Sequence, residues 1–422
     1  MIKQYFKQAF YMLKENRLVS VISIAGTAIS IAMVMIVVLI FQIQFASFSP
    51  EVNRDRMLYV ENGTEIRSDR GWSRGNMSVQ TLKECFYSLK TPEVVCGYTT
   101  MDKPLSIPGK RMYKAYTVKY TDTSFWKIFA FRFLEGKPFT QADFDSAIPQ
   151  AVISRTVAQQ LYGTTDVVGK PVIIDLDTYT ICGVVEDVSR AADTAFGNVW
   201  VAYTTNQIIL NNTDLENMSG AFSTCILAKS SKDFESIRTE LRGLIARYNS
   251  TKKEYEINFF HNPITRFDMA IGTIGQIKVE LKDYLAETGG LLLFLLLVPA
   301  LNLLGVTYSA VQKRRSEMGV RKAFGATFGV LLRQVLCENC LISLFGGALG
   351  LVLSFLLMPL CKDFLLRDSD TMLSGDMLFQ PAIFLAALLF SLLLNLLSAG
   401  IPAVRIARQP IVSSLKDNEE HD

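Results

Sequence analysis

Apolar residues in this chain collect into four long runs, and outside them apolar and polar positions alternate at short range. The first run goes from about Leu18 to Phe45 and contains no charged residue. At ~1.5 Å of rise per residue, a helix of that length exceeds the ~20 residues that cross a bilayer. A secretory leader has a shorter apolar core and a small-residue cleavage site, so this run reads as a retained span. The second run, Gly289–Tyr308, includes LLLFLLLVPALNLLG. Pro299 is placed to kink it, because proline removes one backbone hydrogen bond. The third extends from about Val335 to Leu360. The fourth goes from Pro381 to Ile401, with Pro381 in the first turn, where its missing N–H costs little. One such run fits the core helix of a soluble protein; four in one chain point to a membrane.

The flanking charges set a direction. Lys3, Lys7, Lys14 and Arg17 precede the first run. Lys313, Arg314, Arg315, Arg321, Lys322 and Arg333 lie between the second and third, and Arg405, Arg408 and Lys416 follow the fourth. The connection between the third and fourth is acidic, with Asp363, Asp368, Asp370 and Asp376 against Lys362 and Arg367. One topology satisfies all of these. Residues 1–17 form a cytoplasmic amphipathic helix with Ile2, Phe6, Ala9, Phe10 and Leu13 on one face, lying at the lipid surface. Spans occupy 18–45, 286–308, 335–361 and 381–402. Residues 46–285 and 362–380 are outside the cytoplasm. The 309–334 segment and the 403–422 tail are inside.

The pattern within 46–285 is mixed. Ala151–Ser154 is strand-like and Thr156–Tyr162 has helical spacing. PVIIDLDTYTICGVVEDV, 171–188, reads as a hairpin around an Asp-containing turn. Asp233–Tyr248 is an amphipathic helix with Phe234, Ile237, Leu241, Leu244 and Ile245 on one face. Residues 280–286 continue the second span outward as a stalk. The fold class is therefore membrane α-helical, with four transmembrane helices and a large extracytoplasmic α+β domain inserted between the first and second.

Composition changes this picture little. A mean hydropathy of +0.24 with 20% charged residues fits apolar segments unevenly spread along the chain. The net charge of +3 implies no nucleic-acid partner. Seven cysteines, widely spaced except for Cys337 and Cys340 in the third apolar run, describe neither a disulfide framework nor a zinc site. A Cys85–Cys96 bridge is one reading, and buried free thiols are the commoner one. Two histidines, His261 and His421, leave only His261 for a triad or a metal in the outer domain. Glu186-Asp187 and Asp143/Asp145 fit loop solvation better than paired acid–base work. Nothing matches a P-loop, and no metal or cofactor set emerges.

The short basic segment 309–334 holds the most information. Arg314, Arg315, Glu317, Arg321 and Lys322 can share a charged helix face, with Met318, Val320 and Phe324 as apolar anchors. Gly319, Gly325 and Gly329 permit tight turns or close contact. A loop that only fixes topology needs none of Glu317, Gly319 or Gly325-Ala326, whereas a helix that docks on another protein uses them. Within the spans, Gly346 and Gly350 form GxxxG, which lets helices approach closely, and Asn302 and Asn395 can hydrogen-bond across helices or contact a substrate.

These residues resemble a known family. Asn302 to Glu338, with R-x-x-E-M-G-V-R-K-A-x-G-A from Arg314 to Ala326, looks like the FtsX-type permease domain, and Pro402–Pro410 with Ser414-Leu415-Lys416 is similar to its close. FWKIFAFRFLEGKPF (125–139), AVISRTVAQQLYG (151–163) and 168–188 look like the MacB-type periplasmic core domain, and KENRLVSVISIAG (14–26) fits its first helix. The resemblance implies an ABC transporter permease of the mechanotransmission type in the bacterial inner membrane, working as a dimer with a second copy or a sister chain. A cytoplasmic ATPase pair grips Arg314, Arg315, Glu317, Met318, Gly319, Arg321, Lys322 and Gly325. ATP and Mg belong to that partner and none is bound here. A periplasmic adaptor and an outer-membrane channel are further partners it allows. MacB carries its ATPase ahead of the first span, and some 17 residues stand there in this chain, so a separate ATPase polypeptide is expected. Export of peptides, toxic compounds or lipoproteins is the leading function. Two readings compete: a regulator relaying ATPase state to a cell-wall hydrolase or sensor kinase, and an anchored enzyme, for which 46–285 offers no catalytic constellation.

Overall fold

In this computed structural model the described residues are 11, 17–67, 71–109, 114–211, 219–252, 254–272, 278–286, 289–290, 320, 324–325, 327–365, 385, 388–389 and 392–393. The chain divides into two compact units. One comprises Met1–Gln42, Leu285–Ser369 and Met377–Asp422, and the other Ile43–Tyr284 with Asp370–Asp376.

The second unit is an α+β domain. Its strands are β1 (Met57–Val60), β2 (Gly63–Arg67), β3 (Gly71–Met77), β4 (Val94–Ser106), β5 (Lys114–Thr121), β6 (Phe133–Gly136), β7 (Gln150–Ser154), β8 (Pro171–Ile174), β9 (Asp177–Val185), β10 (Val199–Ala202), β11 (Ser219–Gly220), β12 (Ser223–Leu227), β13 (Tyr255–Asn258) and β14 (Ile264–Thr265). The main sheet runs β14-β1-β12-β4-β5-β10-β7-β9-β6, and β8 pairs with both β9 and β4. Those last pairings return the path to its start: β4, β5, β10, β7, β9 and β8 close into a six-stranded ring. A small second sheet has the order β11-β3-β2-β13.

Alternation along these strands makes two faces. Leu105, Val118, Ala151, Ile153, Ile181, Val199 and Val201 belong to one core with helices α3 (Arg155–Tyr162) and α4 (Phe234–Ser250). Helix α3 starts where Ser154 caps Val157 N and ends at Gly163, whose φ of +75° suits glycine. Ile237, Leu241 and Tyr248 of α4 are buried in this core, with Phe234 and Ile245 packed against it. The hairpin at 171–185 turns at Asp175 (φ +60°), whose carboxylate accepts from Lys103 Nζ at 2.7 Å.

The opposite face is covered by other chain. Trp200 lies beneath a cluster of Trp126 and Phe131, with Phe125, Phe129, Phe133 and Phe139 around them, at the short helix α2 (Phe125–Ile128) and after it. Apart from Phe139 and Trp200, these rings come from the FWKIFAFRF stretch.

In the first unit, helix α1 spans Arg17–Phe45, although its last three residues belong to the second unit. A longer helix, α6, spans Phe328–Leu365; α5 (Arg266–Ala270) lies in the domain. Among the described residues the segment 339–357 is long and apolar enough to cross a membrane, and 20–33 is a shorter apolar helical stretch. Helix α6 begins seven residues before the apolar run that starts at Val335. A helix ends where its backbone bonding ends, and FGVLLRQ contains no proline that would stop it earlier, with Gly329 already in the first turn.

Candidate functional site

The covered face of the main sheet carries a buried ionic network where the domain's chain arrives and leaves. Immediately after α1, Arg54 and Glu51 are 3% and 0% exposed. Arg54 Nε donates to Glu51 Oε2 at 2.6 Å, Nη1 to the Ala46 carbonyl at 3.0 Å and Nη2 to the Ala191 carbonyl at 2.5 Å. Its guanidinium carbon stands 4.1 Å from the centre of the Phe48 ring. The other Glu51 oxygen accepts from Ala195 N at 2.9 Å. A buried guanidinium is tolerated only when its fork is filled in this way.

The departing chain reaches the same loop. Thr265 and Asp268 form a capping box that starts α5 and places Arg266 at its first position. Arg266 Nη1 donates to both Asp193 oxygens at 2.8 Å. Partial burial alone would raise the Asp193 carboxyl; Arg266 outweighs it and holds it below its usual range. The next residue, Phe267, packs against Phe45, ring centres 5.6 Å apart. Arg54 and Arg266 therefore tie the arriving and departing segments to one short loop, 191–195.

That loop rests on the sheet through Lys119 and Trp200. Lys119 is 1% exposed; its Nζ donates to Thr194 O at 2.6 Å and stands 4.8 Å from the centre of the Tyr98 ring. Burial pushes the ammonium down to about 8, against the pull of Asp193 and Glu51. Trp200 Nε1 donates to Ala195 O at 3.2 Å. A polar cavity of about 340 Å³ opens beside Lys119, Asp193, Glu61 and Tyr98. Burial and the neighbouring Asp193 raise the Glu61 carboxyl. Its groups bond one another and the backbone.

Two comparisons identify the scaffold. Residues 20–244 match the MacB-like periplasmic core domain, and 289–411 match the FtsX-like permease C-terminal domain. The chain belongs to the MacB/FtsX family of ABC transporter permeases. An ABC transporter permease of Bacillus subtilis (strain 168), YknZ, is 22% identical over 300 residues, 71% of this chain and 70% of that one. The macrolide export ATP-binding/permease protein MacB of Pasteurella multocida (strain Pm70) is 23% identical over 420 residues, 97% of this chain and 59% of that protein. The pyoverdine export ATP-binding/permease protein PvdT of Pseudomonas savastanoi pv. phaseolicola (strain 1448A / Race 6) is 27% identical over 237 residues, 55% of this chain and 34% of that protein. This permease thus spans less than two thirds of either ATP-binding relative.

Within this MacB/FtsX permease, the residues singled out from sequence fall into three groups. Arg314, Arg315, Glu317, Met318, Gly319, Arg321, Lys322 and Asn302 lie outside the described residues, as does Asn395. Gly325 sits in a turn with φ +90°, beside the exposed Phe324. Gly346 and Gly350 face α1: a Cβ on Gly346 would stand 2.7 Å from Thr27 Cβ, and one on Gly350 would stand 2.7 Å from Ala28 O.

The domain's candidate chemistry resolves into structural roles. Asp143 completes the Thr140 capping box of the helical turn 141–145, and the Thr140 bonds lower its carboxyl. Asp145 accepts from Gln141 Nε2 at 2.8 Å. Glu186 meets Arg155 at 3.0 Å, and Asp187 accepts Thr156 N at the start of α3. His261 borders a cleft of about 560 Å³ with Arg238, Arg242, Asp268 and Lys278; among the described residues no three His, Cys, Asp or Glu side chains gather as metal ligands. Cys85 and Cys96 are both buried free thiols, and they lie on opposite faces of the sheet. Cys85 belongs to the main core, and the helical turn Leu82–Phe86 that holds it covers Gly97, where an added Cβ would overlap Leu82. Cys96, one residue back along β4, points the other way.

Sequence reasoning missed the Arg54–Glu51 and Arg266–Asp193 ties. The signal available was weak: charged residues in RDR (54–56) and TRFD (265–268) look like ordinary solvated positions.

Proposed function

We propose that this permease transmits ATP-driven motion from a separate cytoplasmic ATPase to its outer domain, and so drives export across the envelope. The observation that carries the reading is the double tie at 191–195: Arg54 secures the arriving chain and Arg266 the departing chain to one loop on the main sheet. A displacement of either segment is passed to Trp200 and β10 without deforming the rest of the domain.

Four membrane spans, with both ends and 309–334 in the cytoplasm of a bacterial inner membrane, complete the scheme. The segment from Arg314 to Gly325 is the face offered to the ATPase, whose ATP and Mg stay with that partner. Two permease chains work together, and Gly346, Gly350 and Asn302 pack the spans. The names of the macrolide and pyoverdine relatives support export as the direction of transport, with peptides or small toxic compounds as cargo.

The test is charge reversal in the cytoplasmic segment. Glu317→Lys is expected to leave the protein folded and inserted while abolishing its stimulation of the partner's ATP hydrolysis in reconstituted membranes. Normal stimulation by the variant would remove 309–334 as the coupling element.

A further inference from the structure

Strands β4 and β12 pair antiparallel, with Cys96 directly opposite Cys225. Opposed residues in such a pair have Cα atoms ~4.5 or ~5.5 Å apart, according to the hydrogen-bond pattern. Both values fall within the ~4.4–6.8 Å that a disulfide spans. The two side chains share the covered face, each 0% exposed, and Cys225 adds to burial in raising the Cys96 thiol. Both are free in the structure. The remaining domain cysteines do not compete. Cys85 is on the far side of the sheet, and Cys182 is on β9, where its thiol donates to Ala151 O.

We propose that Cys96 and Cys225 form a disulfide, made while β12 docks on β4, by exchange with an extracytoplasmic thiol oxidase that carries its own reactive disulfide. This rests on the domain lying outside the cytoplasm, where disulfides form and persist. The thiolate of one cysteine attacks a sulfur of the oxidase disulfide, which gives a mixed disulfide and one oxidase thiol. The second thiolate attacks the permease sulfur of that intermediate, so the Cys96–Cys225 bond forms and the second oxidase thiol leaves. Two electrons and two protons pass from the pair to the oxidase, which ends as a dithiol. Exchange precedes closure of the sheet, because neither sulfur is reachable afterwards and burial holds the Cys96 thiol un-ionised. The bond joins two strands far apart in sequence on the same face as the ionic network, and closing so long a loop restricts the unfolded chain.

Full-length protein is taken from membranes without reductant, denatured, alkylated and mapped by mass spectrometry. Five of the seven cysteines are expected to be alkylated before reduction and all seven after it, with the Cys96 and Cys225 peptides recovered as one linked species. Cys96→Ser should free Cys225 for alkylation and lower the thermal midpoint by about 5–10 °C, the same fall that reduction of the wild type gives. Recovery of both cysteines alkylated without reductant, or of either linked to Cys85, overturns the proposal. A parallel Leu176→Cys variant, at a position 91% exposed, is probed in spheroplasts with an impermeant maleimide. Labelling together with free Cys96 and Cys225 refutes the pairing alone; absence of labelling together with free thiols shows that the external placement has failed as well.

Discussion

Lys119 shows what burial does to one side chain in this domain. It is an ammonium at 1% exposure, held by a carbonyl and the face of Tyr98, and burial lowers its pKa to about 8 from 10.5. Between those values the unfolded chain keeps a proton that the folded chain gives up, so this group makes stability rise with pH. Below about 8 both states are protonated and its contribution is constant. Lys119→Met keeps most of the volume and removes the titration. The difference in thermal midpoint, wild type minus variant, is therefore expected to grow from about pH 7.5 to about pH 9.5 and to stay level at lower pH. Tryptophan fluorescence follows it, since Trp126 and Trp200 both lie on this face. A difference that does not change with pH would mean that the ammonium is solvated. The alternation KAYTVKYT marks Lys119 as an outward position on a strand, and it is one. Alternation cannot tell that the outward face will be roofed by 191–197, because the roof comes from residues about seventy positions away.

At the level of elements, local patterns were legible and long-range closures were not. The 171–188 hairpin, the strand read at 151–154 and found at Gln150–Ser154, α3 and α4 all follow from spacing and turn chemistry within a few residues. The closed ring depends on Leu105 and Ser106 meeting Ile174 and Ile173, a pairing that no local rule specifies. Tyr248 extends the buried stripe of α4 by a further turn, its hydroxyl sharing a hydrogen bond with that of Tyr255. The glycines of α6 lend themselves to direct measurement. A Cβ at Gly350 meets Ala28 O at 2.7 Å and Ile31 Cβ at 3.0 Å, whereas at Gly329 nothing lies within 4 Å. Gly350→Leu is expected to cost ~1–3 kcal/mol through forced separation of α1 and α6. Gly329→Ala should be neutral or gain up to ~1 kcal/mol from helix propensity. Heating the full chain in detergent and following its monodisperse fraction reads both. Equal midpoints for the two variants would show that the close approach of these helices is dispensable.

At the scale of the whole molecule, the proposed function requires motion to pass from one unit to the other. Among the described residues the chain passes between units at Gln42–Ile43 and Tyr284–Leu285. Inside the domain, the segments that follow and precede those crossings are held to the 191–195 loop by Arg54 and Arg266. The Arg54–Glu51 pair is fully buried, so breaking it would leave a charge without water and threaten the fold itself. The Arg266–Asp193 pair is different: Asp193 is half-exposed, at 52%, so loss of the pair should change stability little. That contrast makes Arg266 the residue for separating transmission from folding. In Arg266→Met, binding of the ATPase and stimulation of its hydrolysis are expected to persist, and the tryptophan-detected unfolding midpoint should stay near the wild type. Export should fall ~5- to 150-fold, the range that corresponds to a coupling of ~1–3 kcal/mol. Arg266→Lys keeps the positive charge but loses the planar guanidinium, so it should recover only part of the export. If hydrolysis and export fell together, Arg266 would serve assembly with the ATPase; if neither changed, force would reach the domain by a route that bypasses this tie.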